Sequence, residues 1–394
     1  MTDTSVKFFH SGMAGAPTLN GTAGSLVSVL TACLVNGFAV SAVASLVVAD
    51  EIATVTMAGS HPAEVGSVVA VSGASPGGLN GEKRVISTGS GATQLTFAAP
   101  GIGNQTATGA ISLKIASAGW SIFASSVTTE AAYKSVALES TGCYLKVLDT
   151  AAKYARVRGY ETMSSLTVGA GPFPTDTQKS GGAYWIKSNV ADSAARPWVL
   201  VADDRSLYLL TRWHSSYPAY GGLHFFGDLV PVKPGDAWAC AVSGNAADTS
   251  ASSPGILDDY PHMSLLPSQL YLARPHTGIG SSVAARKGFS VPLFDNAQMT
   301  FASGAGPMRY PNGPDQGLYL SEHFVFEALE ASLRGVSPGL YCSPQSMPDG
   351  WAEPHYSISS VALLPGRLVK VEPYGGNGSP LTGYAFFDVT GPWR

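Results

Sequence analysis

Charge is what this chain has least of. Of its 394 residues, 13% are Asp, Glu, Lys or Arg, against roughly 25% in an ordinary soluble domain. The net charge is −4 and no run of Lys or Arg occurs. Nucleic acid is therefore excluded as an expected partner, because it needs a basic patch. Cysteine is scarce too. Cys33, Cys143, Cys240 and Cys342 are widely spaced, with no CxxC pair and no Cys/His cluster. That excludes a zinc site of the usual spacing, and each thiol is expected as a small buried apolar residue. Long hydrophobic runs are missing. The most apolar stretch, Leu26 to Val48, is interrupted by Asn36-Gly37, and a span needs about 18 continuous apolar residues. No membrane insertion is expected. Leu26, Leu30, Cys33 and Leu34 instead predict a buried helix that Asn36-Gly37 stops, with a strand after it. The first residues carry an acid and lead into no apolar core, so they do not read as a secretory signal. Neither G-x-G-x-x-G nor a P-loop occurs, and no cofactor is expected.

What the chain does have is 45 Gly and 26 Pro beside many small and β-branched residues. This composition predicts short strands joined by tight turns. The expected fold is mainly β: multi-domain β-sandwich or barrel modules with a short N-terminal helix and a loop-rich C-terminal third. Residues 1–50 read as an arm, a helix and a strand belonging to the main body. Residues 51–116 read as an inserted small β module, with five strand candidates at dense, regular spacing: Glu51–Met57, Val65–Val71, Lys83–Ser87, Gln94–Phe97 and Ile111–Ile115. Residues 117–255 read as the main β domain. There Trp198–Ala202 and Ser206–Thr211 predict a hairpin across Asp203-Asp204-Arg205. Residues 256–394 read as a C-terminal β domain rich in loops. Leu318–Phe326 reads as a strand and Phe324–Leu333 equally as a short helix, Val361–Leu364 with Arg367–Val371 looks hairpin-like, and Tyr384–Val389 is a final strand.

Several short patterns suggest chemistry. Gly73-Ala74-Ser75-Pro76-Gly77 matches the G-x-S-x-G of serine hydrolases. A nucleophile elbow needs the N–H of the residue after the serine for its oxyanion hole, and it opens a helix. Pro76 has no N–H, and Gly77-Gly78-Leu79-Asn80-Gly81 breaks helices. The stretch reads as a loop between strands, with Leu79 as apolar anchor and Asn80-Gly81 as turn. Asp203-Asp204 reads as hairpin turn chemistry. Asp258-Asp259 lacks the further oxygen ligands that a hard metal requires. The eight histidines are scattered, and those at 214, 224, 262 and 276 read as loop or packing residues. No catalytic or metal residue is assigned. Tyr208, Trp213, Tyr217, Tyr220, Phe225, Phe226 and Trp238 crowd one region. Core packing explains such crowding. The functional alternative is that Trp213, Tyr217, Tyr220, Phe225 and Phe226 form an exposed platform for a partner protein or a glycan.

The stretches "HSGMAGAPTLNGTAGSL" (10–26), "ACLVNGF" (32–38), "ARVRGYETM" (155–163), "GPFPT" (171–175), "LRGVSPGLY" (333–341) and "FFDVTGPWR" (386–394) make the chain resemble virion structural proteins of tailed bacteriophages and prophages. These are found among the tail and morphogenesis genes of Mu-like and other long-tailed phages. The stretches span nearly the whole chain, which favours an insertion at 51–116. The segment "EVGSVVAVSGASPGGLNGEKRV" in that insertion resembles a small β unit of phage tail and fibre proteins. The resemblance implies a virion location, assembly in the host cytoplasm, no catalysis and no cofactor. Expected partners are copies of itself and other virion proteins, with a tail or tail-tip position leading. A host-receptor binder holding a surface glycan or pilus, and a minor capsid or decoration protein, are the alternatives. A glycan hydrolase would need two converging carboxylates, and the sequence places no such pair. A surface this poor in charge agrees with burial against other proteins.

Overall fold

The computed structural model describes residues 3–216, 221–245, 270–289, 308–329, 332–348, 350–359, 361–374 and 383–394. The fold is mainly β, built as a small closed barrel, a six-stranded sheet and a large sheet.

The barrel follows the order Ile52–Met57, Gln94–Ala98, Gly81–Thr88, Val68–Ser72, Ser112–Ile115 and Phe38–Ala49, and the last strand closes back on the first. All five strands expected between 51 and 116 are present. The sixth, Phe38–Ala49, was expected in the main body. Its junction with Ile52 is a two-residue hairpin turn, with Ala49 opposite Ile52 and both Asp50 (φ 49°) and Glu51 (φ 59°) left-handed. Such turns favour Asn-Gly or Asp-Gly. Asp-Glu carries no such signal, so the expected boundary at 50/51 falls inside a hairpin.

The helix is Ser25–Thr31, continued by a π-helical turn over Ala32–Asn36 and stopped at Gly37 (φ 68°). A Cβ at Gly37 would sit 2.2 Å from the Ile115 carbonyl oxygen, so only glycine fits that exit. The helix has no local side-chain cap. Asp149 caps it from 123 positions away, its Oδ2 accepting the Leu26 N–H at 2.8 Å and the Val27 N–H at 3.2 Å.

The six-stranded sheet runs Gly169–Phe173, Tyr154–Met163, Tyr144–Leu148, Glu130–Lys134 and Ser121–Ser126, with Ala183–Ile186 also paired to Tyr154–Met163. The large sheet starts from Lys7–His10 beside Trp198–Ala202 and Ser206–Thr211. It continues through Gly222–Asp228, Cys240–Ser243, Leu270–Leu272, Val283–Phe289, Ser321–Glu327, Leu333–Cys342, Gly383–Asp388 and Val369–Tyr374 to Tyr356–Ile358. It therefore draws on the N-terminal, main and C-terminal segments together and crosses the boundary expected near 255. The 198–211 hairpin forms as expected, and Gly383–Asp388 is the final strand. Ser321–Glu327 is a strand, so the strand expected over Leu318–Phe326 forms and the alternative helix over Phe324–Leu333 does not. Val369–Tyr374 pairs with Tyr356–Ile358 and Gly383–Asp388, so the expected hairpin from Val361 to Val371 is reduced to an isolated Val361–Leu364 bridge.

Strands 198–202, 206–211, 222–228 and 240–243 are buried on both faces. One face joins the helix, the barrel interior and the six-stranded sheet in a single apolar cluster. The other face curls over on itself, gathering Phe8, Val201, Leu210, Phe225, Val325, Leu340 and Phe387. All four cysteines are buried free thiols, as expected, and burial raises the pKa of Cys33, Cys240 and Cys342.

Candidate functional site at the seam of the large sheet

Of the five residues of the alternative aromatic platform, the three that are described, Trp213, Phe225 and Phe226, are buried. Trp213 is buried against Ile186, Tyr154 and Tyr184. Phe225 and Phe226 are buried on opposite sides of one strand, as neighbours on a strand must be. Phe225 packs on Tyr208 at 5.0 Å, and Phe226 lies 6.0 Å from Trp120 and 6.3 Å from Phe173. Packing therefore explains these three. Tyr217, Tyr220, the Asp258-Asp259 pair and His262 lie outside the described residues.

Ser75 is an exposed loop residue whose backbone bridges to Thr108, N–H to O at 2.8 Å and O from N–H at 3.0 Å. Leu79 is fully buried. Asn80 locks the loop by accepting from the Ala74 N–H and donating to the Ala74 carbonyl, both at 2.8 Å. Gly81 has φ 89°. The serine is held as turn chemistry, as its sequence implied. Asp203 likewise serves its hairpin, with Oδ1 accepting the N–H of Arg205 at 2.9 Å and of Ser206 at 2.7 Å. It also holds the Arg394 guanidinium. His224 stacks on Trp185 at 5.2 Å, and His276 pairs with Glu327 at 3.2 Å.

The constellation that sequence reasoning missed lies where the two ends of the large sheet meet. Lys7–His10 and Tyr356–Ile358 are the terminal strands and share no ladder. Side chains close the seam instead. The His10 and His355 rings stack at 4.0 Å with 29° between their planes. The Gly12 N–H donates to His10 Nδ1 at 3.2 Å, so Nε2 carries the proton that bonds Glu64 Oε1 at 2.8 Å. His355 sits at φ 64°. Both its backbone N–H (3.1 Å) and its Nδ1 (2.7 Å) are held by Glu372 Oε1. Glu372 is completely buried, and its Oε2 accepts from Arg212 Nη2 at 2.9 Å. Lys370 Nζ lies 3.5 Å from Glu64 Oε2 and 5.1 Å from the Phe8 ring. The hydrogen bond from His10 holds the Glu64 carboxyl down at about 2, with Lys370 and His355 adding charge attraction against the cost of burial. Glu64 belongs to the loop before barrel strand Val68–Ser72, so barrel, N-terminal strand and C-terminal strands meet here. The arrangement fixes the orientation of both rings. No hydroxyl or thiol among the described residues is hydrogen-bonded to the outer nitrogen of His355, the partner that nucleophilic catalysis requires.

A second network ties the six-stranded sheet to the large one. Glu161 grips Arg274 with both oxygens, at 2.5 and 2.6 Å, and that guanidinium lies 4.0 Å from the Trp238 ring. Arg334 bonds Glu327 at 2.8 Å, Asp236 at 2.8 Å and the Arg274 carbonyl at 2.7 Å. Each of these three carboxylates is committed to a guanidinium, the pairing expected of a structural clamp. Among the described residues, no three His, Cys, Asp or Glu side chains are grouped to hold a metal, and no helix is long and apolar enough to cross a membrane.

No family model matches the chain, and no curated protein matches it. Among solved structures, a phage phi92 endosialidase aligns over 90% of this chain and 52% of its own, at 13% identity and a TM-score of 0.17. The alignment thus spans about half of that protein, and a likeness this slight carries no argument about fold or activity.

Proposed function

We propose that the chain is a structural subunit of a tailed-phage virion, in the tail or its tip, and that it acts by assembling with copies of itself and with other virion proteins. The observation that carries this reading is where the few charges go. Arg84, Lys187, Arg212, Arg334 and Glu372 are buried, and each is spent on internal bonds between segments distant in sequence. Large apolar side chains also stand on the surface: Leu138 and Leu329 are each 97% exposed, Ile279 79% and Val40 71%. Such a surface suits burial against other proteins. The resemblance of the six sequence stretches to virion structural proteins supports the same reading.

The test is direct. Particles purified from a producing host are analysed by peptide mass spectrometry and labelled with antibody to the chain. Label on the tail is the expected result. Label on the head would move the subunit to the capsid. A chain absent from particles, and monomeric at micromolar concentration in sedimentation, would overturn the proposal.

A further inference from the structure

Lys187 and Asp149 meet beneath the N-terminal helix. Lys187 follows strand Ala183–Ile186, and Asp149 follows Tyr144–Leu148. Neither side chain has any exposed surface. Lys187 Nζ contacts Asp149 Oδ1 and the Thr22 carbonyl oxygen. On its other side, Asp149 Oδ2 accepts the N–H groups of Leu26 and Val27, at 2.8 and 3.2 Å. Two charges so fully removed from water carry a heavy desolvation cost. Passing one proton from Nζ to Oδ1 relieves it by leaving a neutral amine against a neutral carboxylic acid. Burial drives both groups that way, pushing the Lys187 pKa down and the Asp149 pKa up, against their mutual attraction. An unprotonated amine fixed against a carboxyl group is a nucleophile at very high effective concentration. The two N–H groups on Oδ2 are placed to hold the charge that forms there on attack.

We propose that Lys187 and Asp149 condense into an intramolecular amide cross-link. The Nζ lone pair attacks Asp149 Cγ and forms the C–N bond, and the carbonyl electron pair moves onto Oδ2. A second proton passes from Nζ to Oδ1. The carbonyl re-forms, the Cγ–Oδ1 bond breaks, and one water molecule leaves past the exposed Thr22. Nothing is oxidised or reduced, and no co-reactant is required. The product keeps every bond of the site. Its carbonyl oxygen still accepts from Leu26 and Val27, and its remaining N–H still faces the Thr22 carbonyl. Both buried charges are gone. The cross-link ties the end of strand Tyr144–Leu148 to the end of Ala183–Ile186 and encloses the chain between them.

Intact-mass spectrometry of the purified, folded full-length chain tests this. The expected result is a mass lower than the sequence mass by one water, with a branched proteolytic peptide joining Lys187 to Asp149. Lys187→Arg and Asp149→Ala should each show the full mass of their own sequence. A wild-type chain at full sequence mass overturns the proposal. So does a water loss that persists in Lys187→Arg, since that would mark ring closure at an aspartate without the lysine. The wild-type measurement decides the question even if neither variant folds, and it does not depend on where the chain sits in a virion.

Discussion

Replacing Arg84 with Met should detach the barrel from both ends of the chain. Arg84 lies on barrel strand Gly81–Thr88 and is 8% exposed. Its guanidinium donates to five carbonyl oxygens: Asp3 (2.6 Å), Gly66 (2.7 Å), Val389 (2.7 Å), Thr390 (3.0 Å) and Val6 (3.2 Å). The bonds to Val6 and Val389 are buried and the other three partly so. A buried carbonyl left without its donor costs about 1–3 kcal/mol. Two such groups set a range of about 2–6 kcal/mol, counting nothing for the three carbonyls that water can reach. Removing a buried cation also relieves its desolvation, which pulls the net toward the lower half, about 3 kcal/mol. Methionine keeps most of the apolar stem, so packing loss is small. Urea unfolding followed by tryptophan fluorescence reads the stability change. Hydrogen exchange should show lost protection at residues 3–8 and 388–391 well before the barrel strands. A variant within about 0.5 kcal/mol of wild type, with unchanged exchange at both termini, would refute the idea that this side chain holds the modules together.

The seam gives a pH prediction. Glu64 titrates at about 2 when folded, against an ordinary value of 4.5. Its stabilising contribution is therefore complete above about 4.5 and disappears as pH falls toward 2; acid unfolding of Glu64→Gln should show a flatter profile across that window. An equal slope in the two proteins would show that the seam does not depend on this carboxylate. In the barrel loop, Ser75→Ala should leave unfolding within about 0.5 kcal/mol of wild type, and Gly81→Ala should cost about 1 kcal/mol for its positive φ. Gly73→Ala should cost more than either, since its Cβ would lie 2.2 Å from the Ala110 carbonyl oxygen; a hydrolytic activity lost with Ser75 alone would reverse this ranking's rationale. Phe226→Ala should destabilise by about 3–5 kcal/mol in urea unfolding, as should Phe225→Ala through the opposite face of the sheet. A stable Phe226→Ala protein that loses binding to a glycan or to particles would restore the surface platform.

The fold class was legible because it rests on local patterns. Alternation at Ile111, Leu113 and Ile115, the strand–turn–strand signal at 198–211, and the apolar spacing ending at Asn36-Gly37 each act over a few residues, and each formed as expected. The loop at Ser75 was legible for a similar reason: Pro76 cannot supply an N–H in any fold. The boundary at residue 50 failed because a left-handed two-residue turn made by Asp50-Glu51 leaves no glycine or asparagine to mark it. Of the two readings of the aromatic cluster, core packing is the one that Trp213, Phe225 and Phe226 follow; sequence shows that they are near one another, but not that the strand carrying two of them is covered on both faces.

The sequence by itself determined a β protein with little charge, buried cysteines and a helix that ends at Gly37. Tertiary structure alone decided where that charge went. The seam joins residues 10, 64, 212, 355, 370 and 372, the Arg84 clasp joins the barrel to both termini, and Lys187 meets Asp149 across 38 positions. Each residue looks ordinary in its own stretch. These partners are chosen by sheet order and by the curl that brings the edges of the large sheet together, and a burial cost that acts only in the folded interior makes each charge take the partner within reach.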